Sequence, residues 1–116
     1  MTVKKIKGVL HIFDNANLEK LDFFSGMEEI DAESIEERPA LTIINNTMLE
    51  EIQFISLTTI KSSQQINTVI KDNPKLSGVD LEEWYEIAGG KNRTSIVLTD
   101  IEEGGSNGEI SKLQIG

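Results

Sequence analysis

A chain of 116 residues has room for one hydrophobic core, so residues 1–116 are read as a single domain. Its 38% apolar content is too high for a disordered chain, and the absence of cysteine excludes disulfides, zinc-thiolate sites and thiol nucleophiles. With 20 acidic residues against 11 basic ones, a net charge of −9, the field of the domain repels phosphate and weighs against general nucleic-acid binding.

The apolar residues are of one kind. Sixteen Ile and five Val stand against ten Leu, with eight Thr beside them. β-Branched side chains are stiff at χ1 and pack well on a pleated surface, so the balance favours strands. Residues 3–13 read as a strand in which Gly8 marks a bulge or a close approach of another backbone. Asp14, Asn15, Ala16 and Asn17 are turn chemistry, because short polar side chains bond their own backbone there. Leu18, Leu21 and Phe24 recur at intervals of three, which predicts one or two helical turns closed by Gly26. Residues 27–37 form the most acidic stretch, and Pro39 separates it from a short buried strand over 40–44, ended by Asn45 and Asn46.

A third strand is expected over 52–60, the run of Thr and Ile outweighing a helix begun at Thr47, where Thr47 and Glu50 have capping-box spacing. Residues 62–73 predict a helix: Ser62 and Gln65 have capping-box spacing, Ile66, Val69 and Ile70 share a face, and Asn73-Pro74 stops it. Two readings stand for 80–88. Asp80 and Glu83 can cap a helix with Leu81, Trp84, Tyr85 and Ala88 on one face and Gly89 as its stop; residues 84–88 can equally pair with 94–101 across a turn. Residues 95–101 read as a strand, 104–108 as a turn and 110–115 as the last strand of a hairpin. No internal repeat is read. The sum is a strand-rich α+β domain of about five or six mostly antiparallel strands with two or three short helices, and a small barrel or half-barrel suits it.

No motif for catalysis appears, so the chain is expected not to be an enzyme. His11, the only histidine, sits within an apolar strand, where a packed side chain outweighs general-base duty. The glycine-rich segments 89–93 and 104–108 fit neither a phosphate loop nor a dinucleotide fingerprint, and the carboxylates lack a calcium-loop pattern; no cofactor or metal is implied. Asn45 and Asn92 begin glycosylation sequons, a short pattern that recurs by chance. Trp84 and Tyr85 serve either as core pieces or as binding aromatics.

The composition therefore points to a small acidic cytoplasmic protein, with no membrane partner, that binds or inhibits a macromolecule. The expected partner is a protein, basic in character, met by Glu28, Glu29, Asp31, Glu33, Glu36 and Glu37. The alternative is a barrel-type regulator of gene expression. Its patch for RNA or DNA would be Lys4, Lys5, Lys7, Trp84, Tyr85, Lys91 and Arg93. Usage rich in Ile, Asn, Lys and Glu resembles that of proteins from A+T-rich bacterial genomes, phages or plasmids.

Overall fold

Every strand pairing among the described residues is parallel. A computed structural model describes residues 4–35 and 37–99. Its elements are β1 (Lys5–Lys7), β2 (Leu10–Phe13), β3 (Lys20–Leu21), β4 (Glu29–Ala32), β5 (Leu41–Ile44), β6 (Glu51–Ile52), β7 (Thr59–Ser62) and β8 (Thr68–Lys71). Helix α1 (Leu81–Ala88), a 3-10 turn (Lys91–Arg93) and β9 (Thr94–Ile96) complete them. Three sheets result, ordered β1-β4-β7, β2-β5-β8-β9 and β3-β6. The chain thus winds as a solenoid: the first two coils visit the three sheets in turn, the third adds β7 and β8 to two of them, and β9 stacks on β8.

This corrects the expected fold class. The domain is strand-rich, but it is built from nine parallel strands rather than five or six mostly antiparallel ones, and it holds one α-helix among the described residues. The physical reason lies at the corners. The first coil breaks between β1 and β2 at Gly8, whose φ of 133° suits glycine, so residues 3–13 make two strands on two sheets. The corner after the second strand of each coil is held by Asp14, Asn45 and Asp72 with φ of 58°, 58° and 57°. Asp and Asn tolerate this left-handed conformation better than other side chains. A chain that turns the same way at each corner returns beside its previous coil, and strands so placed can pair only in parallel.

Register then sets like on like. Ile6 faces Ile30 and Ile30 faces Ile60; Ile12, Ile43, Ile70 and Ile96 form a second row. The rows point inward: Ile12, Ile30, Ile43, Ile60 and Ile70 are all buried. Three residues beyond Asn15, Asn46 and Asn73 stand Leu18, Leu49 and Leu76, of which the last two are fully buried.

Beside these apolar rows runs a polar one. Asn15, Asn46 and Asn73 each follow a corner residue and stack as a ladder. The Asn46 amide oxygen accepts from the Asn15 backbone N–H (3.2 Å) and Nδ2 (2.8 Å). Asn46 Nδ2 in turn donates to Asn73 Oδ1 (3.0 Å) and to the Ile12 carbonyl (3.1 Å), and Asn73 Nδ2 donates to the Ile43 carbonyl (3.0 Å). Backbone groups that a corner leaves unpaired are thereby satisfied inside the core.

Two local expectations change with the topology. Residues 62–73 are the end of β7, a turn and β8, not a helix. Ile70 is buried, as an inward strand position must be, whereas Val69 points to the other side and stays half-exposed. The apparent helical face of Ile66, Val69 and Ile70 was a strand read in the wrong period. The Leu18, Leu21, Phe24 spacing likewise belongs to a corner and to β3, and residues 51–60 divide between β6 and β7.

For 80–88 the helical reading holds. Asp80 Oδ1 accepts from the Glu83 N–H (3.2 Å), and Gly89 (φ 94°) closes the helix, its N–H bonding the Glu86 carbonyl while the Gly90 N–H bonds that of Tyr85. Trp84 packs on Phe54 at 6.0 Å between ring centroids, which fixes α1 against the coils. Of the strand expected at 95–101, only residues 95–96 belong to β9; residues 97–99 carry no strand, and 100–101 lie outside the described residues. The turn at 104–108 and the hairpin strand at 110–115 lie outside the described residues.

Candidate binding faces

The two charged segments singled out by sequence meet each other. Register places Lys5 opposite Glu29 and Lys7 opposite Asp31 on adjacent parallel strands, and Lys61 follows Asp31 on the next. Ion pairs result at 3.5 Å for Lys4 with Glu28, 3.3 Å for Lys5 with Glu29, 3.7 Å for Lys61 with Glu29 and 3.5 Å for Lys7 with Asp31. The Glu33 N–H bonds Asp31 Oδ1 and, with the nearby Lys7 and Lys61 ammonium groups, holds the Asp31 carboxyl below its ordinary pKa. Glu33 and Glu37 are exposed, and Glu36 is outside the described residues. Three of the six proposed partner-binding acids therefore face three of the four lysines of the proposed nucleic-acid patch. Each set screens the field that the other would offer a partner.

The rest of that basic and aromatic set is engaged elsewhere. Arg93 spends its guanidinium on main-chain carbonyls, with Nη2 to Gln64 at 2.6 Å and to Ser62 at 3.3 Å, and Nε to Gln65 at 3.1 Å. It pins the turn between β7 and β8. Trp84 is buried, and Tyr85 is half-buried with the Lys91 ammonium 6.0 Å from its ring. Lys4, Lys5 and Lys7 belong to the first coil, while Lys91 and Arg93 precede β9 in the fourth rung, about 14 Å along the stack at ordinary strand spacing. The structure does not bring these seven residues into one patch.

What it does assemble is a neutral face. Strand alternation places His11, Thr42, Val69 and Ser95 on the side away from the core, in one row across β2, β5, β8 and β9, with Thr42 buried between its neighbours. Phe13, Ile44 and Lys71 form the neighbouring row, and Val97 extends it by donating its N–H to the Ile70 carbonyl. Of these eight side chains only Lys71 carries a full charge. Phe13 is 54% exposed and Val97 61%, values unusual for large apolar residues that have a core to enter. His11 lies against Phe13, edge to face at 6.3 Å, and burial together with the Arg38 charge holds its pKa below the ordinary histidine value. At neutral pH it belongs to the uncharged surface. Sequence reasoning missed this face because its members come from four coils. The available signal was the nine-residue pattern, Leu10/Leu41/Thr68 with Ile two residues on, an Asp or Asn corner, Asn and then Leu.

A comparison with protein families matches residues 1–88 to the receptor L domain, and the chain belongs to that family. No curated protein and no solved structure matches it. A receptor L domain is a ligand-binding domain, so a general binding role stands, and a protein partner is consistent with it. The same match corrects the cytoplasmic assignment, because receptor L domains are extracellular parts of receptors. The lack of cysteine is compatible with an extracellular place, because the asparagine ladder and the stacked Ile rows hold the coils without a disulfide. The match gives no support to a regulator of gene expression.

Proposed function

We propose that this receptor L domain is a non-catalytic binding module that docks a protein partner on the outward face of its four-stranded sheet. The observation that supports it most is the neutrality of that face in a chain of net charge −9: seven of its eight side chains are uncharged, and two large apolar ones are more than half exposed. Apolar surface on rigid, paired strands binds with little loss of conformational freedom, and its removal from water supplies the driving force. The acidic segment at 28–37 plays the lesser part of steering, through Glu33 and Glu37, since its other described acids are paired with lysine.

The test compares two sets of variants against a protein partner selected on the wild-type domain. Phe13→Glu with Val97→Glu should weaken binding at least about a hundredfold, as expected when charges are forced into an apolar contact. Glu33→Gln with Glu37→Gln should slow association without changing the complex lifetime. Retained affinity in the sheet variants, with loss in the acidic ones, would return the role to the acidic segment.

A further inference from the structure

A second surface lies away from that sheet. Between β6 and the segment leading into α1 runs a groove of about 580 Å³. Phe54, Trp84 and Ile87 form its floor and are almost fully buried, Ile52 and Val79 line its sides, and Ile55 stands at its lip 75% exposed. Ile55 is the most exposed large apolar residue described, and it borders a concavity with an apolar floor and partly polar walls. The rim has one sign. Every charged residue lining the groove is a carboxylate: Glu51, Asp80 and Glu83. Glu82 and Glu86 continue the acidic surface along α1, whose last turn holds no basic residue.

These carboxylates differ from those at 28–37 in being little compensated. Among the described residues no lysine or arginine comes within ion-pair distance of Glu82, Glu83 or Glu86; Glu51 meets Lys20 only at 3.9 Å, between two well-exposed side chains. One Asp80 oxygen accepts the Glu83 N–H and the other is left to solvent or a partner. The most concentrated acidic run in the sequence is thus the better neutralised one, and the free negative field sits beside a slot with an apolar floor.

We infer that this groove is a docking site for a basic, apolar peptide segment of a partner protein, one bulky aliphatic or aromatic side chain flanked by Lys or Arg. The floor accepts the apolar side chain. The rim places Glu51 on one side and Asp80 with Glu83 on the other, where flanking ammonium or guanidinium groups gain hydrogen bonds and the attraction of the field. The neutral sheet face has no such selectivity, so the two surfaces recognise different partner chemistry and act independently.

Trp84 is the only tryptophan in the chain and lies on the floor, so its emission reports occupancy directly. The probe is a blocked pentapeptide with leucine at its centre and lysine at the other four positions, titrated into the full chain. Saturable change in Trp84 emission is expected, weakening as salt is raised. Glu51→Gln with Glu83→Gln should weaken it about tenfold, and Ile55→Ser should weaken it severalfold. All three side chains are surface groups, so urea midpoints near that of the wild type will show that the variants fold. Phe13→Glu, on the sheet face, should leave the titration unchanged. Equal binding of a peptide with glutamate for lysine, or with serine for the central leucine, would overturn the inference; so would full binding by the folded Glu51→Gln/Glu83→Gln variant, or no saturation.

Discussion

Replacing Asn46 by alanine should cost more than replacing any other polar residue of the fold. The side chain is fully buried and makes four hydrogen bonds: it accepts from the Asn15 N–H and Nδ2, and donates to the Ile12 carbonyl and Asn73 Oδ1. Alanine removes all four. Asn15 is half-exposed and turns to water at small cost, but the Ile12 carbonyl and part of the Asn73 capacity are left unpaired in the core. Two buried bonds at roughly 1–1.5 kcal/mol each, with a further increment for the space vacated, give a loss of about 3–4 kcal/mol. Against a stability of about 5–15 kcal/mol for a domain, that is a large fraction. Asn15→Ala, at the half-exposed end of the ladder, should cost only about 1 kcal/mol. Asn46→Asp keeps the oxygen that accepts from Asn15 but turns a second carboxylate oxygen, in place of the amide donor, towards the Ile12 and Asn73 oxygens, so it should be at least as damaging as alanine at neutral pH. Urea unfolding of the three variants measures this, the midpoints moving with the slope unchanged. An Asn46→Ala loss below about 1 kcal/mol, or a larger loss at Asn15, would refute the ladder as the polar spine of the coils.

The strand assignment of β8 predicts opposite outcomes at neighbouring positions. Ile70→Asp places an unpaired charge among the stacked isoleucines and should prevent folding, while Val69→Asp on the outer face should change stability by about 1 kcal/mol or less. Circular dichroism and urea unfolding distinguish them, and equal damage at both sites would restore a helical reading. For Asp31, whose folded pKa is depressed by the Glu33 N–H and by nearby lysines, the stabilisation is present above the ordinary carboxylate pKa of about 4 and is lost as pH falls through the folded value. The wild type should therefore lose stability between pH 5 and pH 2 by more than Asp31→Asn does; identical pH profiles would remove Asp31 from the account.

Sequence alone determined the strand-forming character of this chain, because β-branched side chains carry it locally, residue by residue. It also marked the turn at Asp14 and the strand end at Asn45, for reasons of backbone chemistry, and it offered the capping pair of α1, Asp80 and Gly89, as one of two readings; the third corner, at Asp72, was hidden behind the helix expected over 62–73. Which strands pair, and in which direction, was settled only by the tertiary fold. The coils differ in length, with partners 24 residues apart from Lys5 to Glu29 but 31 apart from Leu10 to Leu41, and strands of two to four residues are too short to show a clear period. The charge pattern was decided in the same way. Read along the chain, residues 28–37 are an unbalanced acidic run; across the sheet they meet Lys4, Lys5, Lys7 and Lys61, because parallel register brings together groups that sequence holds 24 to 32 residues apart. Coulomb attraction depends on distance through space, and in a solenoid that distance follows the coil rather than the chain.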